Sequence, residues 1–240
     1  MRILKPGLLT TVQDRGRVGC AVLGVSRAGA MDSNALRLAN ALVGNSVDAA
    51  GLEITWMGPR VQFDEPTTIA LTGAEFPVHI DGAEIGMWRS VRVAADAVLE
   101  FGAVRHGARA YLAIAGGIDV ERVLGSASID VNAALGPFGG RALREGDVLR
   151  VATANSAGTQ AAATEHATSW SLDPRPWLDP DATWPILLIR GTHFDALDAA
   201  SRDAMFTAEF RIAADSNRVG FRLDGAPLAL AFKIARLRGV

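Results

Sequence analysis

The chain has 240 residues, 49% of them apolar, which allows one large domain or two small ones with a sizeable core. Its net charge of −2 provides no field to steer nucleic acid or an anionic membrane surface. A single cysteine, Cys20, excludes an intramolecular disulfide and a multi-cysteine zinc site.

The opening Met-Arg-Ile-Leu-Lys-Pro-Gly lacks the apolar core of a signal peptide. Polar residues interrupt every apolar run well short of membrane-spanning length, so a soluble cytoplasmic protein is expected. A β-branched run at 10–12 predicts a strand that ends in Gln13-Asp14, because Asp-Arg-Gly-Arg cannot continue a buried strand. Gly29 then frees the backbone ahead of Asp32. Asp32 or Ser33 suits a helix N-cap, and Ala35, Leu38, Ala39 and Leu42 follow at helical spacing up to a stop at Gly44-Asn45. Gln13, Asp14, Arg15, Arg17, Asp32 and Asn34 therefore fall on or beside connections. Two readings stay open: a surface loop of weak ion pairs, or a ligand-binding loop mounted on a rigid strand and helix.

Strand signals follow at 52–57, 60–63, 67–72 and 77–80, the last leading to the hairpin dipeptide Asp81-Gly82 and a return strand to about 87. The run at 67–72 is expected to stop at Gly73-Ala74-Glu75. Further strands are predicted at 90–93, 97–101, 109–115 and 147–151. Many short strands at close spacing argue a barrel or sandwich. Residues 153–169 have no large apolar side chain and are followed by Pro174, Pro176 and Pro180, which marks a linker. Beyond it come a strand at 185–189, a helix at 194–206, and strands at 210–212 and 219–223. The expected organisation is a β-barrel domain at 1–152, a linker at 153–183, and a partial β-rich lobe at 184–240.

No GxxxxGK[ST] phosphate cradle is present. The pairs Gly116-Gly117 and Gly139-Gly140 make turns or offer N–H groups to an anion. The four histidines lack zinc-ligand spacing, and no metal site is expected. His106, read as part of a charged loop, is an acid–base group or a solvated histidine. Cys20 reads as a packed small side chain, and Ser26 and Ser33 have no GxSxG context. Trp170, Trp177 and Trp184 lie in or beside the linker as packing anchors or an interface patch. These residues describe a β-rich protein with one polar strand–loop–helix site and name no reaction.

Ordered motifs go further. Gly7-Leu-Leu-Thr-Thr-Val-Gln-Asp-Arg-Gly-Arg17, Leu23-Gly-Val25 and Gly29-Ala-Met-Asp32 are joined by Leu36-Arg-Leu-Ala-Asn-Ala-Leu-Val-Gly-Asn45, Leu52-Glu-Ile54, Ala70-Leu-Thr-Gly-Ala-Glu75, Tyr111-Leu-Ala-Ile-Ala-Gly-Gly-Ile118, Leu124-Gly-Ser-Ala-Ser128 and Ser216-Asn-Arg-Val-Gly-Phe-Arg-Leu223. Together they resemble the biotin-dependent carboxyltransferase-like, or allophanate hydrolase subunit 2, family. That family includes the C subunit of 5-oxoprolinase, KipA-type proteins and the carboxyltransferase segment of urea amidolyase. The resemblance implies a mainly β, cyclophilin-like barrel with a few short helices. It implies a hydrolase component, inactive without partners, that helps open the cyclic amide of 5-oxo-L-proline to glutamate. ATP would act through the complex, and the partners would be oxoprolinase subunits A and B. The alternatives are a KipA-type module paired with a KipI-like protein, or a carboxyltransferase that uses biotin.

Under the resemblance, Asp14, Arg17 and Asp32 are the catalytic candidates, and Gln13, Asn34 and His106 the substrate-binding ones. Because Asp14 and Arg17 lie on a connection, replacing either is expected to cost little in packing. The family continues past the region of Leu223, so the second lobe lacks closing strands. Its open edge is expected to be covered by a second copy or a partner.

Overall fold

The computed structural model describes residues 1–152, 168–178, 183, 185–218 and 220–231. Of the expected linker at 153–183, residues 153–167 and 179–182 lie outside the described residues, as do 184 and Val219. The chain divides into two compact units, Met1–Asp181 and Ala182–Val240.

The first unit is mainly β. One antiparallel five-stranded sheet runs β1 (Arg2–Lys5), β4 (Arg60–Gln62), β9 (Val98–Phe101), β6 (Val78–Ile80) and β7 (Ala83–Ile85). A second runs β2 (Leu9–Gln13), β3 (Gly51–Thr55), β10 (His106–Ile114), β5 (Thr67–Glu75) and β8 (Ser90–Val93). Alternation sends Val12, Leu52, Ile54, Ile69, Leu71, Leu112 and Ile114 of the second sheet into one core with Ile3, Val61, Val78 and Leu99 of the first. A short ribbon, β11 (Ile118–Asp119) with β12 (Arg150–Val151), accompanies them.

The other face of the second sheet carries α1 (Ser33–Leu42). Asp32 caps it by accepting the Ala35 N–H at 2.9 Å. Ala39 and Val43 pack on Ala70 and Ala113, and Ala35 and Leu36 pack on Tyr111. The small alanines let helix and sheet approach closely. This sheet is thus covered on both faces, so residues whose alternation points away from the core are still out of water. Leu36→Ala here would cost about 2–4 kcal/mol through the cavity it leaves.

Three expectations for the first unit need correction. The strand predicted to stop at Gly73 runs through it to Glu75. Gly73 has φ 85°, and a Cβ there would lie 2.5 Å from the Arg109 carbonyl oxygen, so it is a bulge where two backbones touch. His106 is the first residue of β10, opposite Glu75, and not part of a loop. The run 147–151 is regular strand only at its last two residues; before them it follows β1 through the Arg2–Val148 bridge, with the Ile3 N–H donating to the Asp147 carbonyl and the Leu149 N–H to that of Met1, each at 2.9 Å.

In the second unit, the 194–206 helix is split. A 3₁₀ turn at Phe194–Ala196 gives way at Leu197 to a new N-cap, Asp198, which accepts the Ser201 N–H at 2.7 Å and starts α3 (Ala199–Thr207). A short helix, α2 (Arg175–Leu178), precedes this unit in sequence. β13 (Phe210–Ile212) pairs with β14 (Leu223–Gly225). Residues 185–189 do not form the predicted strand, and Ile186, Leu187 and Ile189 are exposed.

Candidate functional site

The polar stretch after β2 is buried. Gln13 is held at the strand end opposite Gly51, and the chain turns at Gly16, whose φ is 81°. A Cβ on Gly16 would lie 2.3 Å from the Arg27 carbonyl oxygen, so the 14–17 turn and the 26–30 segment are packed backbone to backbone. Arg17 N–H donates to the Arg27 carbonyl at 2.7 Å, and Ala30 N–H to the Asp14 carbonyl at 2.9 Å.

Asp14 is 4% exposed. Its Oδ1 accepts the hydroxyls of Ser126 and Ser128, each at 2.6 Å, and the Gly16 N–H at 2.8 Å. Its Oδ2 accepts the Ala127 N–H at 2.7 Å, and Arg122 Nη1 approaches to 3.5 Å. Burial pushes the Asp14 carboxyl upward, but the two serine hydroxyls and the two backbone N–H groups outweigh it and hold it below the usual carboxylate range.

Arg17 is 1% exposed. Its Nη2 donates to the Ser128 carbonyl at 2.5 Å and, at 3.4 Å, to that of Leu135. Its Nε and Nη1 have no hydrogen-bond partner among the described residues. Each buried donor left unmade costs about 1–3 kcal/mol, and more on a charged group. Gln13 is fully buried: its Nε2 donates to Thr11 Oγ1 and to the Ile129 carbonyl, both at 2.9 Å, while its Oε1 has no partner among the described residues. Asp130 accepts the Ser26 hydroxyl and the N–H groups of Asn132 and Ala133. Burial raises its carboxyl, but these donors and the Arg17 charge lower it further than burial lifts it.

A second polar row crosses the face under α1: Thr11, Glu53, Tyr111 and Thr72 stand opposite one another on four adjacent strands, each 3% exposed or less. The Tyr111 hydroxyl donates to Glu53 Oε2 at 2.9 Å and accepts the Asp32 N–H at 2.7 Å. The same Glu53 oxygen accepts the Met31 N–H at 2.7 Å, and Arg109 Nε lies 3.7 Å from Oε1. Burial, then the neighbouring Glu53 charge, push the Tyr111 phenol well above its ordinary value. This row fixes the start of α1, where Asp32 and Asn34 are exposed.

Gln13, Asp14 and Arg17 thus gather on the 126–130 segment, whereas Asp32 and Asn34 stand at the exposed start of α1, where Asp32 is tied to Tyr111 and Ala35. His106 does not. It sits at the far end of β10, roughly 20 Å along the strand direction from the level of Gln13 at 3.3 Å per residue. The expectation that Asp14 and Arg17 could be replaced at little cost is overturned, because both are buried and tied to residues more than a hundred positions away. Arg15 fits the surface reading, in an exposed pair with Asp48 at 2.9 Å. Sequence reasoning missed Ser26, Glu53, Tyr111, Ser126, Ser128 and Asp130. A charge in the middle of Leu52-Glu-Ile54 and the Ser-x-Ser after Gly125 were the available signals.

No group of His, Cys, Asp or Glu among the described residues is placed to hold a metal, and no helix there is long and apolar enough to cross a membrane. Lys5, the one lysine among the described residues, lies on β1, and no glycine-rich phosphate cradle accompanies it.

The carboxyltransferase domain, subdomain A and B, family matches residues 23–236. The chain belongs to that family. It is 35% identical over 225 residues to the C subunit of 5-oxoprolinase from Escherichia coli, covering 94% of this chain and 68% of that protein. It is 36% identical over 228 residues to urea amidolyase of Saccharomyces cerevisiae, covering 94% of this chain but 12% of that much longer protein. The fold matches the crystal structure of the Kluyveromyces lactis urea carboxylase with a TM-score of 0.81 and 33% identity, over 96% of this chain and 21% of that one.

Proposed function

We propose that the chain works as the C-type component of a 5-oxoprolinase, opening the cyclic amide of 5-oxo-L-proline to glutamate with partner subunits. The carrying observation is the match to a separate oxoprolinase polypeptide at 35% identity, of which this chain spans 68%. The sequence carries no GxxxxGK[ST] phosphate cradle, so no ATP step is placed on this chain, and in this reading the partners supply that chemistry. In this reading Asp14, with both oxygens occupied by donors, is a positioning residue that acts through the 126–130 segment. In the same reading Arg17 stabilises negative charge on the substrate, and Asp32 and Asn34, exposed at the start of α1, are the residues offered to it from solvent. The test is reconstitution with oxoprolinase subunits A and B, following ATP-dependent release of glutamate. Turnover requires all three chains, and a rate unchanged when this chain is omitted overturns the reading.

The fold match to urea carboxylase supports a second reading, a carboxyltransferase step from biotin to a urea-type nitrogen. A biotin carrier and urea supplied to the chain, with carboxylated product measured, separates the two.

A further inference from the structure

The end of β2 and β3 away from the Gln13–Arg17 turn carries a strained and apolar corner. Met57 N–H donates back to the Thr55 carbonyl at 2.7 Å, and Trp56 between them has φ 59°. That is a γ-turn with positive φ at its centre, the rare and strained form, and a bulky aromatic is a poor occupant of it. Neighbouring backbone holds the turn in place. Trp56 N–H donates to the Ala108 carbonyl and Leu8 N–H to the Met57 carbonyl, each at 3.0 Å, and a Cβ on Gly7 would lie 2.2 Å from that same Met57 oxygen. The turn buries none of its large side chains: Leu8 is 65% exposed, Trp56 54% and Met57 58%. At about 150–250 Å² for a large side chain, the three offer roughly 300–400 Å² to water. That matches the largest apolar patch of a typical monomer, about 300–600 Å², which is often functional.

Charge adds a second oddity. Two residues further along each chain segment, Lys5 stands opposite Arg60 across β1 and β4. Like charges in that position repel. Arg60 has Glu100 at 3.9 Å, and Lys5 has no carboxylate partner among the described residues. A second copy seated here by two-fold symmetry would bring these cations toward their own equivalents. A nucleic acid or anionic lipid surface calls for a wider basic field than two cations on a chain of net charge −2. Trp and Met at the centre with cations at the edge are the composition of a protein-binding surface whose partner is acidic. We infer that Leu8, Trp56 and Met57 form the apolar centre, and Lys5 and Arg60 the charged edge, of a docking surface for a protein segment that carries a large apolar side chain beside Asp or Glu. Leu9 lies opposite Thr55 and Gln13 opposite Gly51, so the surface is roughly 13 Å along β2 from Gln13 at about 3.3 Å per residue. It stands whether or not the chain serves an oxoprolinase.

The test is NMR of the full chain, reading the Trp56 indole N–H, assigned by its loss in Trp56→Asn, and the Met57 methyl. The probes are an end-blocked peptide alternating Asp or Glu with Leu and Phe, the same peptide with lysine for each acid, and phosphatidylglycerol vesicles. The acidic peptide is expected to move both signals and saturate below about 1 mM, with the lysine peptide about tenfold weaker. Lys5→Glu is expected to weaken the acidic peptide about fivefold and to improve the lysine peptide. Trp56→Asn is expected to abolish binding and to melt no lower than the parent, because asparagine accepts positive φ. If Trp56→Asn does not fold, the two Lys5→Glu titrations decide alone. No saturable shift with the acidic peptide overturns the surface. Equal binding of the two peptides overturns the charged edge and with it the partner's chemistry. Vesicles that move the Trp56 signal more than the peptide does assign the patch to lipid instead, and a Trp56 shift that follows the chain's own concentration assigns it to a second copy; either result overturns the inference.

Discussion

Asp14→Asn is the most informative single change in the molecule. It keeps the shape of the side chain and removes one acceptor oxygen. If the amide oxygen stays with Ser126, Ser128 and Gly16, the amide nitrogen faces the Ala127 N–H, two donors against each other in a buried site. The charge that strengthened the other three bonds is lost as well. Removing one member of a buried charged network costs about 3–5 kcal/mol. At about 2–4 °C per kcal/mol for a unit of this size, the melting temperature should fall by roughly 10 °C. Asp32→Asn serves as the comparison: it also neutralises an aspartate of the site, but it is exposed and asparagine caps a helix as well, so its effect should stay within about 0.5 kcal/mol. The pH dependence has a definite sign. The Asp14 carboxyl is lower in the folded chain than in the unfolded one, so its stabilisation is present above the ordinary carboxylate value of about 3.9. It is lost as pH falls through the depressed folded value. The parent should therefore lose stability in that acid window, and Asp14→Asn should lose less, with the remainder due to Asp130, Asp147, Asp173 and Asp198, which are also lowered. Urea unfolding at neutral and acid pH measures both. A variant that melts within about a degree of the parent and shows the same acid slope would refute the argument.

Tyr111→Phe leaves the Asp32 N–H and one Glu53 interaction unmade under α1, and calorimetry should show a loss of about 1–3 kcal/mol. Gly73→Ala forces a side chain onto the Arg109 carbonyl at positive φ and should destabilise by more than about 2 kcal/mol in urea unfolding, whereas Gly19→Ala, at similar φ but in open space, should cost about 1. The purified chain should release no glutamate from 5-oxo-L-proline and ATP unless partner subunits are added. Leu187 and Ile189 are 91% and 95% exposed, so light scattering should find the chain self-associated, with Ile189→Asp shifting it toward monomer; a monodisperse parent would count against cover by a second copy.

Local signals carried well from sequence to structure. The Asp32 cap, the helix behind it and the Asp81-Gly82 hairpin are decided within a few residues, and all three stand where the pattern put them. Burial was harder to read. Whether Asp14 faces water is decided by Ser126 and Ser128, far along the chain, and nothing near Asp14 announces them. Glu53 looks like the solvent side of an alternating strand until α1 covers that side. Gly73 reads as a stop because glycine usually ends a strand, yet the close Arg109 backbone needs it inside one. The 194–206 run kept its apolar spacing across a break that only the Asp198 cap reveals.

The Asp14 contacts also impose an order of events on synthesis. Its two serine partners lie 112 and 114 residues downstream, while β2 finds its partner β3 within about forty. A ribosome adding about 5–20 residues per second reaches the serines on the order of ten seconds after Asp14. Until then the carboxylate has only water and its own turn, so the loop waits, formed as a strand end but not as a site. Any nascent or cleaved fragment that stops before residue 126 should carry a paired β2–β3 hairpin beside an unorganised Gln13–Arg17 turn. Competence would then arrive in one step, when Gly125-Ser-Ala-Ser128 docks, and would report that the first unit has been made through that point.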